Sequence, residues 1–117
     1  MKRLMNLRIW NEARSVVRDV YAVSGGLEYS EKNQLRRAVA SVAANIAEGA
    51  GRASDPDFHR FLAIALGSCH EVITHLAMAG DCGLLPLDQV EPLVQRSDAL
   101  GCRIKALMIS LKHPDPS

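Results

Sequence analysis

A chain of 117 residues, 48% hydrophobic and 23% charged, has the size and balance of one folded domain, which excludes an intrinsically disordered tract. Its formal net charge of +1 excludes binding of nucleic acid or anionic membrane by bulk charge alone. Aromatic residues make up only 4%, so the core must be aliphatic.

The first helix is predicted over residues 4–24. Ile9, Ala13, Val16, Val20 and Val23 recur at steps of four and three, which puts them on one stripe. Trp10, Val17 and Tyr21 widen that stripe, while Arg8, Glu12, Arg18 and Asp19 read as solvated. Ser24-Gly25-Gly26 ends the helix, with glycine expected to take a left-handed cap. The second helix is expected over 30–50. Leu35, Val39, Val42 and Ile46 form its apolar stripe, and Ala40, Ala44, Ala47 and Gly51 form a second one of small residues. Such a stripe lets another backbone approach closely, so one face suits the core and the other a neighbouring helix or subunit. Gly49, Gly51 and Arg52-Ala-Ser-Asp-Pro then break the helix.

Ser54 or Asp55 can cap a third helix, predicted over 55–80, with Pro56 in its first turn and Asp57 favourable to the dipole. Phe58, Leu62, Ala65, Cys69, Val72, Leu76 and Ala79 keep the four-three rhythm throughout. Gly80-Asp-Cys-Gly-Leu-Leu-Pro is a turn. A fourth helix follows over 88–112, where Pro92 is acceptable only within the first turn. Leu93, Ser97, Leu100, Ile104, Leu107 and Leu111 form its stripe, and residues 113–117 read as a frayed tail. Four amphipathic helices, short turns and no strand pattern predict an all-α, antiparallel up-down-up-down four-helix bundle occupying 1–117 as one domain.

Three cysteines without a Cys-x-x-Cys spacing, Cys69, Cys82 and Cys102, read as free thiols in a reducing cytosol. No signal-peptide core follows Met1-Lys-Arg, and no apolar run looks long enough to span a bilayer, so a soluble cytoplasmic protein without a membrane partner is expected. His70-Glu71-x-x-x-His75 has the wrong spacing for a zinc-protease motif: five residues turn the second His roughly 140° around the helix. A di-metal bundle centre needs Glu-x-x-His pairs, and the chain contains none. With no metal, cofactor, catalytic residue or small-molecule substrate signalled, a non-enzyme is expected.

Asn45, Glu48 and Arg52 share one helix edge, and Glu71 follows on the next helix. On an otherwise apolar helix they need partners, because burying such groups unpaired costs several kcal/mol. They read as a buried or interfacial polar network that fixes register, with a polar ligand site at the helix 2–helix 3 corner as the alternative. Trp10, Ala40, Ala44, Ala47 and Gly51 are candidates for a subunit interface. Residues 1–60 hold 10 Lys/Arg against 7 Asp/Glu, while 61–117 hold 4 against 6. Arg14, Arg18, Arg36, Arg37 and Arg60 read as a solvated face in a monomer. Repeated around a ring, they would form a multivalent, salt-sensitive surface for RNA or DNA.

Asn45-Ile-Ala-Glu48-Gly-x-Gly51-Arg52-x-Ser54, followed by Phe58-x-x-Phe61-Leu62-x-Ile64-Ala65-x-Gly67-Ser68-x-x-Glu71, resembles the bacterial four-helix-bundle family, also called the 23S ribosomal RNA intervening-sequence protein family. Leu7-Arg-Ile-Trp10-Asn-Glu-Ala13 and Gln34-x-Arg36-Arg37-Ala38-x-x-Ser41 extend the likeness, which covers roughly residues 4–85. Glu28-Tyr-Ser-Glu-Lys stands where the family has a longer connection, and Ala43 where it often has Pro. The resemblance implies a cytoplasmic bundle that assembles into a ring-like homopentamer. It also implies an unsettled role: some members are encoded within insertions in large-subunit ribosomal RNA genes, and a distantly similar bundle binds nucleic acid as a retroelement accessory protein. A homo-oligomeric scaffold or interaction module is therefore expected, with an RNA- or DNA-binding accessory protein as the alternative.

Overall fold

In the computed structural model of the protein, residues 7–112 are described, and among them there are four helices and no strand. They are α1 (Arg8–Ser24), α2 (Tyr29–Ala50), α3 (Asp55–Asp81) and α4 (Leu87–Lys112). The expected tail at 113–117, and residues 4–6 of the predicted first helix, lie outside the described residues.

Each helix packs on its chain neighbours, α1 closes the square against α4, and the backbones of the diagonal pairs stay apart. Short turns dictate this order, since a helix must reverse to bury its stripe on the one before it. The buried stripes are those of the four-three pattern: Ile9, Ala13, Val16 and Val20 on α1, and Leu35, Val39, Val42 and Ile46 on α2. Phe58, Leu62, Cys69 and Leu76 on α3 and Val90, Leu93, Leu100 and Ile104 on α4 complete the core. Two ion pairs sew the α1–α4 seam, Asp19 to Arg96 at 2.6 Å and Glu12 to Arg103. Both acids had read as solvated; they lie on the flank of α1 that meets α4. Ser97 also lies in the core at 2% exposure, and its hydroxyl has no hydrogen-bond partner among the described residues.

The helix ends differ in detail from expectation. Gly25 caps α1 at φ −57°, in the right-handed region, so no left-handed cap forms there. A guanidinium replaces it: Arg36 donates from Nε to Ser24 Oγ and from Nη2 to the Tyr21 carbonyl, both at 2.9 Å. It thus satisfies a last-turn acceptor of α1 from α2. The left-handed position belongs to Gly83, at φ +71°. There Leu84 N–H bonds to Ala79 C=O at 2.8 Å and Gly83 N–H to Gly80 C=O at 3.1 Å, a Schellman closure of α3. Ser54, not Asp55, caps α3, its Oγ accepting from Asp57 N–H at 3.3 Å. α4 starts at Leu87, which places Pro92 just past the first turn. The donor it lacks would have met the carbonyl of exposed Asp88, where water can substitute.

α3 corrects one expectation: by length and composition it could cross a membrane. Its Phe58–Ala79 stripe is instead buried between α2 and α4, as expected of a bundle's longest core helix. The remainder of the helix is unusually apolar for an outward face, and this matters for the site.

Candidate functional site

The α2–α3 seam is close because small residues line it. A Cβ on Gly49 would lie 2.8 Å from Phe58 Cδ1 and 2.9 Å from Phe61 Cβ, so only glycine permits this approach of α2 to the start of α3. Farther along, the Ser41 and Ser68 hydroxyls meet at 2.8 Å across the seam. Asn45 Nδ2 donates to both the Ser41 carbonyl and the Ser41 hydroxyl at 2.9 Å.

The predicted polar network is therefore divided. Asn45 satisfies itself on Ser41, which in turn joins Ser68. Glu48 and Arg52 form a separate, exposed ion pair at 2.7 Å. Glu71 is exposed and forms no ion pair with a described residue. Within one subunit, then, three of the four charged or amide groups are not buried together, because Glu48, Arg52 and Glu71 fall on the outward side of their helices. Arg52 and Arg60 both stack on Phe61, at 4.7 and 4.5 Å from its ring centre, and Arg60 also pairs with Asp57 at 3.7 Å.

Outside the seam, α2 and α3 also expose small and apolar residues between these charges. Ala44 and Gly51 are exposed, whereas Ala40 and Ala47, half-buried, share with Arg36 the edge of α2 that faces α1. On α3, Ile64 is 45% exposed and Gly67 has nothing within 4 Å of a notional Cβ. Trp10 does not belong to this surface: it shares the edge of α1 with Val17 and Tyr21, at the α1–α2 seam, and Arg14 stacks on it at 4.6 Å. A groove of about 320 Å³ continues the face toward the α2 N-terminus, lined by Gln34, Arg37, Ser41, Ser68, Glu71 and His75.

The five candidate arginines for nucleic acid are not alike. Arg36 is a structural clamp, held by Ser24 and Tyr21 as described and stacked on the Tyr21 ring at 4.6 Å. Arg14 stacks on Trp10, Arg60 on Phe61, and Arg18, 75% exposed, leans on Asp19 at 3.5 Å and Ser15 at 3.3 Å. Arg37 alone of the five is exposed with no ion pair, hydrogen bond or ring contact to a described residue.

The two groups with displaced titration among the described residues, Asp19 and Cys69, do not build an acid–base site. Arg96, through its hydrogen bond, holds the Asp19 carboxyl below the usual carboxylate range. Burial pushes the Cys69 thiol up to about 12, which leaves it protonated and unreactive. His70 and His75 line different grooves, one between α3 and α4 and the other between α2 and α3, as their spacing of five predicts. Among the described residues no cluster of His, Cys, Asp or Glu could hold a metal ion.

The seam's Ser41–Ser68 and Asn45–Ser41 contacts and the α1–α4 ion pairs escaped the sequence reading. A signal existed for the latter: Glu12 and Asp19 are seven apart on α1, Arg96 and Arg103 seven apart on α4, which is the register of two antiparallel helices.

Residues 5–106 match the family model described as 23S rRNA-intervening sequence protein. The fold is similar to the crystal structure of a protein of unknown function from the S23 ribosomal protein family of Bacteroides thetaiotaomicron, with a TM-score of 0.79 at 20% identity over 86% of this chain and 97% of that one. No curated protein matches the chain.

Proposed function

We propose, for a chain that belongs to the 23S rRNA-intervening sequence protein family, that it is a self-assembling bundle whose α2–α3 face is the subunit contact, and that it works as a scaffold or interaction module rather than as an enzyme. The observation that carries this reading is the surface of α3. An apolar helix that buries one stripe in its own core still presents Ile64 and Gly67 outward, beside exposed Ala44 of α2. Small residues on two adjacent helices leave a shallow surface, flanked by the Glu48–Arg52 pair, on which another helix can pack at short range. A ring of five is the assembly the family resemblance implies. A cytoplasmic setting is consistent with three unpaired thiols, two of them exposed. The alternative, RNA or DNA binding through arginines around such a ring, draws support chiefly from Arg37, since the other candidates have partners within the subunit.

Sedimentation velocity of Ala44→Arg tests the reading. Arginine keeps the helix propensity of the exposed site but places a long cation on the face. The oligomer is expected to fall to monomer with unchanged far-ultraviolet dichroism; an undisturbed oligomer overturns the assignment of the face.

A further inference from the structure

Resting on that reading, we propose that Arg37 and Glu71 are the charged anchors by which a second copy of this chain is held in register on the α2–α3 groove. Ser41 and Ser68 mark the level at which α2 and α3 pass each other. Arg37 precedes Ser41 by four residues, and Glu71 follows Ser68 by three on an antiparallel neighbour, so both lie one turn away toward the same end of the bundle. They line one groove, both are exposed, and they form no ion pair with each other or with any other described residue. Most other charges near this face are already matched: Glu48 by Arg52, and Asp57 by Arg60.

Ala44 lies one turn beyond Ser41 on α2 and Gly67 adjoins Ser68 on α3, so both border the groove. A partner that covers these residues also covers the groove and removes water from both charges. Removing water from a charge is unfavourable unless it gains a partner, and these two line one groove without pairing to each other; a covering surface that brings an anion to Arg37 and a cation to Glu71 meets that need. A partner with both signs and no large net charge fits this demand. The chain itself, at net +1 with cations and anions interspersed on its outer faces, meets it. A polyanion does not, because it would meet Glu71 with repulsion.

Sedimentation equilibrium of Arg37→Glu and Glu71→Arg at low and high salt, beside Ala44→Arg, tests the proposal. Neither side chain has a partner among the described residues, so both variants are expected to keep the wild-type melting curve when dilute. Each reversal is expected to weaken association by about tenfold or more, with the loss shrinking as salt rises. The neutral Arg37→Gln and Glu71→Gln are expected to fall between wild type and the reversals. Association within about twofold of wild type for both reversals, with Ala44→Arg still dissociated, overturns the anchors and leaves the face intact. If Ala44→Arg is also without effect, the face itself is wrong and the anchors fall with it. Tight binding of a short RNA at the groove that Glu71→Arg strengthens, without any change in self-association, would likewise overturn the proposal.

Discussion

Gly49→Ala adds one methyl group at the point where α2 comes closest to α3. The new Cβ would sit 2.8 Å from Phe58 Cδ1, 2.9 Å from Phe61 Cβ and 3.3 Å from the Phe58 carbonyl oxygen. Carbon atoms rest at about 3.5–4.0 Å, so the helices must part by several tenths of an ångström. Neither neighbour yields easily: Phe58 is 2% exposed, with its ring locked in the core, and the Cβ of Phe61 moves only with the backbone. Overpacking of this kind costs about 1–3 kcal/mol, while alanine recovers about 1 kcal/mol of helix propensity over glycine. The contacts lie at the severe end, so a net loss of about 1–2 kcal/mol is expected. Urea denaturation of dilute protein, followed by far-ultraviolet dichroism, measures it as a lower midpoint at unchanged slope. A variant as stable as wild type, or more stable, would refute the close approach of the two helices.

Gly67→Ala makes the same chemical change where the subunit leaves open space. The dilute chain should gain up to about 1 kcal/mol in urea, yet associate more weakly by sedimentation if a second copy packs over the residue. Arg36→Met removes two 2.9 Å hydrogen bonds from the α1–α2 corner and should cost about 1–3 kcal/mol in the same denaturation assay. For Cys69, the folded thiol ionises near 12 against an ordinary value of 9.0, so its stabilising share is complete below pH 9 and is lost as pH rises from 9 toward 12. Stability curves of wild type and Cys69→Ala across that range should converge in slope below it and diverge within it. A thiol reagent should label Cys82 and Cys102 in the native protein and spare Cys69, which reacts only on unfolding.

Most of the fold could be read from period alone. The four-three recurrence of aliphatic residues names most of the buried side chains, because a bundle core is the direct consequence of that spacing. Two features could not be read this way. Arg36 looked like one of several surface cations, yet it caps a helix that comes before its own; only tertiary proximity makes Ser24 and Tyr21 its partners. Ser97 sits at an apolar position of α4 and stays there with its hydroxyl unpaired among the described residues, a penalty no pattern predicts. The candidate site was half visible. Ala44, Ala47 and Gly51 follow from composition, but the contribution of α3 through Ile64 and Gly67 depends on how far α3 is rotated against α2 and α4. Asn45, Glu48, Arg52 and Glu71 read as one polar network, yet Glu71 lies midway along α3, away from the turn that joins it to α2. The splitting of that network into a seam contact and outward charges required the rotation as well.

Light scattering on the size-exclusion peak of the purified protein tests the central claim most directly, because self-association through the α2–α3 face must raise the mass above that of one 12.8 kDa chain. A monodisperse oligomer is expected at micromolar concentration, about five chains if the ring holds, and Ala44→Arg should return it to a single chain. A wild-type protein that elutes as a monodisperse 12.8 kDa monomer at the same concentration would contradict the account.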